Sequence, residues 1–205
     1  MTAETSAVPS ELDGLLTAAD YRALPEFSDD RKRELQEGFL VMSPSPKARH
    51  AWAIRELLKL LDQQLPTGLT TLSDVDVDLE LVGPDEPGTV RRPDVVVVPL
   101  EAYDAVEADD RLFRAAEVVL AIEVISPGSN RVDRVMKASE YADAGIGHYW
   151  VLDLGSRPGA TRQLPVSLVV HHLAEEFGYV SDEVTGQFET TAPFPFTVDL
   201  SSLRR

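Results

Sequence analysis

Two stretches of the chain read as buried central strands, and each carries a carboxylate. Val95-Val-Val-Val follows Asp94 directly, and Val118-Val-Leu-Ala-Ile-Glu-Val-Ile encloses Glu123. Near-continuous apolar runs of strand length mark strands covered on both faces. A carboxylate in such a run costs desolvation free energy unless it is paired, hydrogen-bonded or bound to a cation. Two explanations of Glu123 follow from the residues: a salt bridge to Arg91 or Arg92, or a divalent cation shared with Asp94. Mg2+ takes oxygen ligands, often one or two protein carboxylates with waters. The separation of 123 − 94 = 29 residues leaves room for an acidic loop from Glu101 to Arg111 and a return into an adjacent strand.

The flanking segments predict a mixed α and β chain built on one sheet. Thr17 to Leu24 reads as a short helix stopped by Pro25, and Arg33 to Met42 as a hairpin folding at Glu37-Gly38, a pair that tolerates positive φ. From Lys47, apolar residues at Ala51, Ile54, Leu57, Leu58, Leu61 and Leu65 recur at three and four, a helix that ends near Pro66. Val75 to Val82 alternates apolar and acidic residues and predicts a strand with one wet face. A further helix runs from Arg131 to Ala144, closed by Gly145. Val132, Val135, Met136 and Ala142 form its core face, and Arg134, Lys137 and Tyr141 form another stripe. His148 to Asp153 is a strand, with Tyr149 and Trp150 as core aromatics. Val166 to Leu173 and Phe177 to Val180 make a closing hairpin, and Phe194 to Leu200 a last extended edge.

The length of 205 residues fits one domain, expected over residues 17–205 behind a disordered tail at 1–16. With 19 basic and 35 acidic residues the net charge is −16, which excludes a basic nucleic-acid-packaging role. The absence of cysteine excludes disulfides, thiolate nucleophiles and Cys-ligated zinc. His171 and His172 point to opposite faces of a strand and do not share a metal. There is no basic-then-apolar leader and no apolar run of about 20 residues, so a cytoplasmic protein with no membrane partner is expected.

An ordered set of motifs then resembles a known family. Glu34-Leu-Gln-Glu37-Gly, Met42-Ser-Pro-Ser-Pro and His50 are followed by Arg92-Pro-Asp94-Val-Val-Val-Val and Ala121-Ile-Glu123-Val-Ile-Ser126-Pro. After these come Asp133, Lys137, Tyr141, Gly145 and His148-Tyr-Trp-Val-Leu-Asp. This series is similar to the Uma2 family of the PD-(D/E)XK, restriction-endonuclease-like superfamily, from about Ala18 to the final strand. The resemblance implies a restriction-endonuclease-like α/β core: a central mixed β-sheet flanked by helices, with an N-terminal helix and hairpin and a C-terminal β-hairpin. It implies Asp94 and Glu123 as metal-binding carboxylates. Lys137 becomes the catalytic lysine, displaced from the usual place two residues after the second carboxylate, where this chain has Ile125. Glu34 is an additional metal position with Glu37 as the competing choice, and His50, Ser126 and Tyr141 are further site positions.

The implied activity is Mg2+-dependent (or Mn2+-dependent) hydrolysis of phosphodiester bonds in nucleic acid, chiefly DNA, with Arg92 and Arg134 as phosphate contacts. On their own, Lys137 reads as a solvated helix charge and His50 as a capping or surface histidine. Basic residues near these segments, Arg31-Lys32-Arg33, Lys47, Arg49, Arg91, Arg92, Arg131 and Arg134, would give an acidic body a basic mouth. Two other functions compete: a catalytically silent interaction or regulatory module, favoured by Ile125, and a metal-dependent hydrolase of small phosphorylated molecules, favoured by the acidic surface. A homodimer would present two sites to the two strands of a duplex.

Overall fold

The computed structural model describes residues 14–25, 32–42, 47–125, 131–156, 159–161, 163–174 and 176–205, with side chains of the helix beginning at Arg131 described from Val135 onward. In chain order the elements are α1 (Ala18–Ala23), β1 (Arg33–Gln36), β2 (Phe39–Met42), α2 (Ala48–Asp62), β3 (Leu69–Ser73), β4 (Val77–Asp78), β5 (Val90–Arg91), β6 (Val95–Pro99), α3 (Leu100–Asp109), β7 (Phe113–Arg114), β8 (Leu120–Ile125), α4 (Arg131–Asp143), β9 (His148–Asp153), β10 (Ser167–Ala174), β11 (Gly178–Thr185), β12 (Gln187–Thr190) and β13 (Phe196–Asp199). They form a mixed α/β fold with three sheets where one was expected. The largest has the order β11-β10-β9-β8-β6-β3, the second β2-β1-β5-β4-β7, and β12-β13 pair by themselves.

The two apolar runs are adjacent central strands, as their composition requires. β6 and β8 pair antiparallel with Val95 opposite Ile122, while β8 and β9 run parallel and are joined through α4. One face of this sheet packs on α2 and the C-terminal strands through Val95, Val97, Ile122, Trp150, Phe188 and Phe196. The other face packs Val96, Val98, Ala121 and Ile125 against Tyr141, with Val77 and Phe113 of the second sheet in the same cluster. Side-chain alternation along β8 therefore directs Glu123, between Ala121 and Ile125, to the face that α4 covers.

Local signals account for several elements. Thr17 caps α1 and shares a capping box with Asp20. The β1–β2 hairpin turns at Glu37 (φ 48°) and Gly38 (φ 81°), the paired positive φ values of a tight two-residue turn. Gly38 also donates to Gly88 O (2.8 Å) and accepts from Leu16 N (2.9 Å), so the turn is tied to two other segments.

Four sequence expectations change. Glu101 to Arg111 is largely helix, α3, because Ala102 and Val106 at i,i+4 spacing reach the core while the acidic residues stay solvated. The strand expected over Val75 to Val82 pairs only at Val77–Asp78, since Glu80 adopts a left-handed φ of 48° and Asp78 turns its carboxylate to the Glu80 N–H. β3 and β12 were not anticipated; both take their register from partner strands. The inward face of α4 differs from the expected one: Val135 is 65% exposed and Met136 and Ala142 are half-buried, while Lys137 and Tyr141 are buried; the side chains of Val132 and Arg134 lie outside the described residues. Among the described residues no helix is long and apolar enough to cross a membrane.

Gly38→Ala places a Cβ 2.6 Å from Leu15 Cβ and 2.8 Å from Pro87 Cβ at a positive φ. The variant is expected to lose about 2–4 kcal/mol of stability, read from the midpoint of chemical denaturation.

Candidate active site

Between the two larger sheets, five elements bring their ionisable side chains together. β1 supplies Glu34, the step from β5 to β6 supplies Arg91 and Asp94, β8 supplies Glu123, α4 supplies Lys137, Glu140 and Tyr141, and α2 supplies His50. Lys137 Nζ lies 3.0 Å from Glu34 Oε1 and 2.9 Å from Glu123 Oε1, and so joins the two sheets. Tyr141 donates its hydroxyl to the same Glu123 oxygen (3.4 Å). Glu34 also accepts from the Arg92 backbone N–H (3.1 Å) and from Arg91 Nη1 (3.0 Å). Arg91 is closed on its other edge by a two-bond fork to Glu140 at 2.6 and 2.7 Å.

Asp94 is buried and fully engaged. Its Oδ2 accepts the Val124 backbone N–H (2.7 Å), which ties it to the strand that carries Glu123. Its Oδ1 receives Lys32 Nζ and lies 3.1 Å from His50 Nε2. Lys32 also reaches Asp74 Oδ1 at 2.5 Å.

The electrostatics differ among the three carboxylates. Burial pushes Glu34 and Asp94 up, but it is outweighed at Glu34 by Lys137, Arg91 and the Arg92 N–H, and at Asp94 by His50 and Lys32. Both are held below the usual carboxylate range. Glu123 is pushed up to about 7, first by burial and then by the charges of Asp94 and Glu34, against the opposing pull of Lys137. Lys137 is desolvated, yet Glu123 and Glu34 hold it above the usual lysine range. It is an ammonium at every physiological pH and acts by charge rather than by accepting a proton.

Of the residues singled out from sequence, Asp94, Glu123, Lys137, Glu34, Tyr141 and His50 are brought together in one connected set of contacts. Glu37 does not compete with Glu34; it is exposed in the hairpin turn, and its backbone N–H bonds Thr89 Oγ1 (3.2 Å). The salt-bridge explanation of Glu123 holds with a different cation, because Arg91 serves Glu34 and Glu140 while Arg92 makes a two-bond fork to Asp76 (2.8 and 2.6 Å). Arg92 is therefore engaged away from the proposed phosphate role. Ser126, Arg31 and the side chain of Arg134 lie outside the described residues. Arg33 is also engaged within the fold, over the Tyr21 ring and on Pro25 O (2.7 Å), as is Arg49 on the Gly155 and Ser156 carbonyls (3.1 and 3.2 Å). Sequence reasoning missed Lys32 as the partner of Asp94 and Glu140 as the partner of Arg91; the basic run before Glu34 was the available signal for the first.

Among the described residues no group of three or more His, Asp or Glu side chains is arranged to hold a metal ion. A closed zinc-type cage is not present in them. Asp94, immediately before β6, and Glu123, on the neighbouring β8, are linked through the Val124 N–H and suit a hydrated hard cation, which needs only one or two protein carboxylates.

The chain matches, over residues 18–201, the family model described as "Uma2: Putative restriction endonuclease". A solved structure described as "a putative nuclease belonging to DUF820 from Anabaena variabilis ATCC 29413" shares the fold, with a TM-score of 0.63 and 16% identity over 92% of this chain and 97% of that one. No curated protein matches the chain.

Two measurements check this description. Arg91→Met leaves Glu34 and Glu140 without their shared cation and is expected to cost about 3–5 kcal/mol of stability. The ionisation of Glu123, whose ordinary value is 4.5 and whose folded value is about 7, weakens the fold as pH rises through that window. In metal-free thermal melts, the unfolding temperature of the wild type minus that of Glu123→Gln is expected to fall across this window and to level off above it. A difference that stays flat would show that Glu123 is not raised.

Proposed function

This chain belongs to the Uma2 family, and from that premise we propose that it is a metal-dependent nuclease that hydrolyses phosphodiester bonds, with DNA as its substrate. The observation that carries this reading is the placement of Lys137. Although residue 125 is Ile, an ammonium from α4 stands against Glu123, on the strand that binds Asp94 through its backbone. A lysine beside two neighbouring carboxylates is what phosphodiester hydrolysis asks of a protein: charge to meet the developing negative phosphate, and a place for a cation.

In this reading Asp94 and Glu123 would hold Mg2+ or Mn2+, which would supply Lewis acidity there. Lys137 keeps its proton and offers positive charge to the phosphate oxygens. Glu34 holds that ammonium from the side opposite Glu123, and Arg91 and the Arg92 N–H keep Glu34 ionised. Tyr141 fixes the Glu123 carboxylate on the α4 side.

A catalytically silent relative is the second reading. It is favoured by the internal pairing of Lys32, Lys137 and Arg91 with Asp94, Glu123 and Glu34, which leaves the carboxylates partnered without a metal.

Cleavage of supercoiled and linear DNA in Mg2+, Mn2+ or chelator separates the two. Wild type is expected to nick DNA with metal and to stop in chelator. Asp94→Asn and Lys137→Gln are expected to lose on the order of 100-fold or more in rate while near-UV circular dichroism is retained. A folded wild type that cleaves no nucleic acid in either metal, or variants that cleave as fast as wild type, would refute the nuclease reading. Binding should weaken steeply with salt for DNA and only slightly for a small phosphorylated substrate.

A further inference from the structure

Each oxygen of Asp94 already has a partner in the metal-free chain. Oδ2 takes the Val124 N–H, and Oδ1 takes Lys32 and His50. A cation coordinated by this carboxylate therefore meets an ammonium on the same oxygen, and the two positive charges repel at close range.

The two lysines of the site are not equivalent in this respect. Lys137 is wedged between Glu34 and Glu123, both nearly buried, so withdrawing it strands two carboxylates. Lys32 has one buried partner, Asp94, and one at the surface, Asp74, which is about half exposed. Beside it lies an open groove of about 200 Å³ lined by Lys32, Ala51, Ile54, Arg55, Leu58 and Asp74. An ammonium leaving Asp94 thus keeps Asp74 as a partner and has space to move into.

Resting on the reading of Asp94 and Glu123 as cation ligands, we infer that Lys32 is a built-in competitor for the metal. It holds Asp94 when the site carries no cation and retreats to Asp74 and the groove when one enters. The resting site is consequently charge-satisfied and its metal affinity is set by the cost of moving Lys32. Asp74 acts as the open-state partner, so the two residues tune affinity in opposite directions. His50, on the same Asp94 oxygen, remains in place and keeps the carboxylate oriented.

Calorimetric titration of the full chain with Mn2+ tests this without reference to cleavage. Lys32→Met is expected to bind Mn2+ about three- to tenfold more tightly than wild type, the scale of losing one partly exposed competing pair. Asp74→Asn, a change at a half-exposed position, leaves the ammonium to Asp94 alone and is expected to bind Mn2+ more weakly by about threefold. Equal or weaker Mn2+ binding in Lys32→Met, with binding abolished in Asp94→Asn, overturns the competitor role and leaves the metal reading standing. If Lys32→Met fails to fold, the sign of the Asp74→Asn effect decides, and unchanged or tighter binding overturns the proposal. No Mn2+ binding by wild type, Lys32→Met or Asp74→Asn overturns both this inference and the metal reading on which it rests.

Discussion

The Lys137 ammonium, held between Glu34 and Glu123, is the interaction around which the rest of the fold is arranged. Burying an ammonium or a carboxylate alone is costly, and a buried pair recovers that cost only when the remaining hydrogen-bonding positions are filled. Here they are filled from several directions. Glu34 receives Arg91 and the Arg92 N–H, Arg91 is shared with Glu140, and Glu123 receives Tyr141. Because Glu34 comes from one sheet, Glu123 from another and Lys137 from the helix that packs on both, the charges fix how these elements meet. The apolar clusters above and below the central sheet supply burial without specifying that meeting point.

A second set of contacts holds the set in register. Asp76 takes the Arg92 guanidinium and the Tyr21 hydroxyl (3.0 Å), which anchors the chain just before Asp94 and leaves the Arg92 N–H aimed at Glu34. Arg49 binds carbonyls at the end of β9, among them Gly155 O at 3.1 Å, and so ties the start of α2, with His50 next in sequence, to the central sheet. These arginines were candidates for a basic mouth. Their guanidinium groups are instead spent inside the protein, which agrees with a chain whose net charge is −16.

Elements governed by neighbours in sequence were legible. The short helix after Thr17, the Glu37-Gly38 turn, the period of α2 and the two apolar strands follow from local rules, and all four are present. What escaped was set by distant partners. β3 is a strand because β6 offers it an edge, and α3 is a helix because Ala102 and Val106 find a core. Counting apolar residues on α4 chose the wrong inward face, since that face meets carboxylates and is therefore occupied by Lys137 and Tyr141 while Val135 stays outside. Asp94 and Glu123 were readable as a pair because buried charge in an apolar run demands a partner. The identity of those partners was not, because Lys32 lies 62 residues from Asp94 and no local spacing relates them.

Under the proposed nuclease reading, the ammonium of the site comes from α4 and not from position 125, which is Ile. Residues two apart on a strand share a face, so a lysine at 125 would project beside Glu123. Ile125 instead packs in the apolar cluster that contains Tyr141, and α4, which covers that face, delivers the ammonium to Glu123 from above. The proposed reading asks for a positive charge at one point in space, and a lysine on either the strand or the helix facing it would supply that charge. A lysine on α4 has a consequence that a strand lysine would not bring: Lys137 also reaches Glu34 on β1, so the group that the proposed function would offer to a substrate is the same one that joins the two sheets. Site geometry and fold stability are coupled through a single side chain, and any substitution there acts on both.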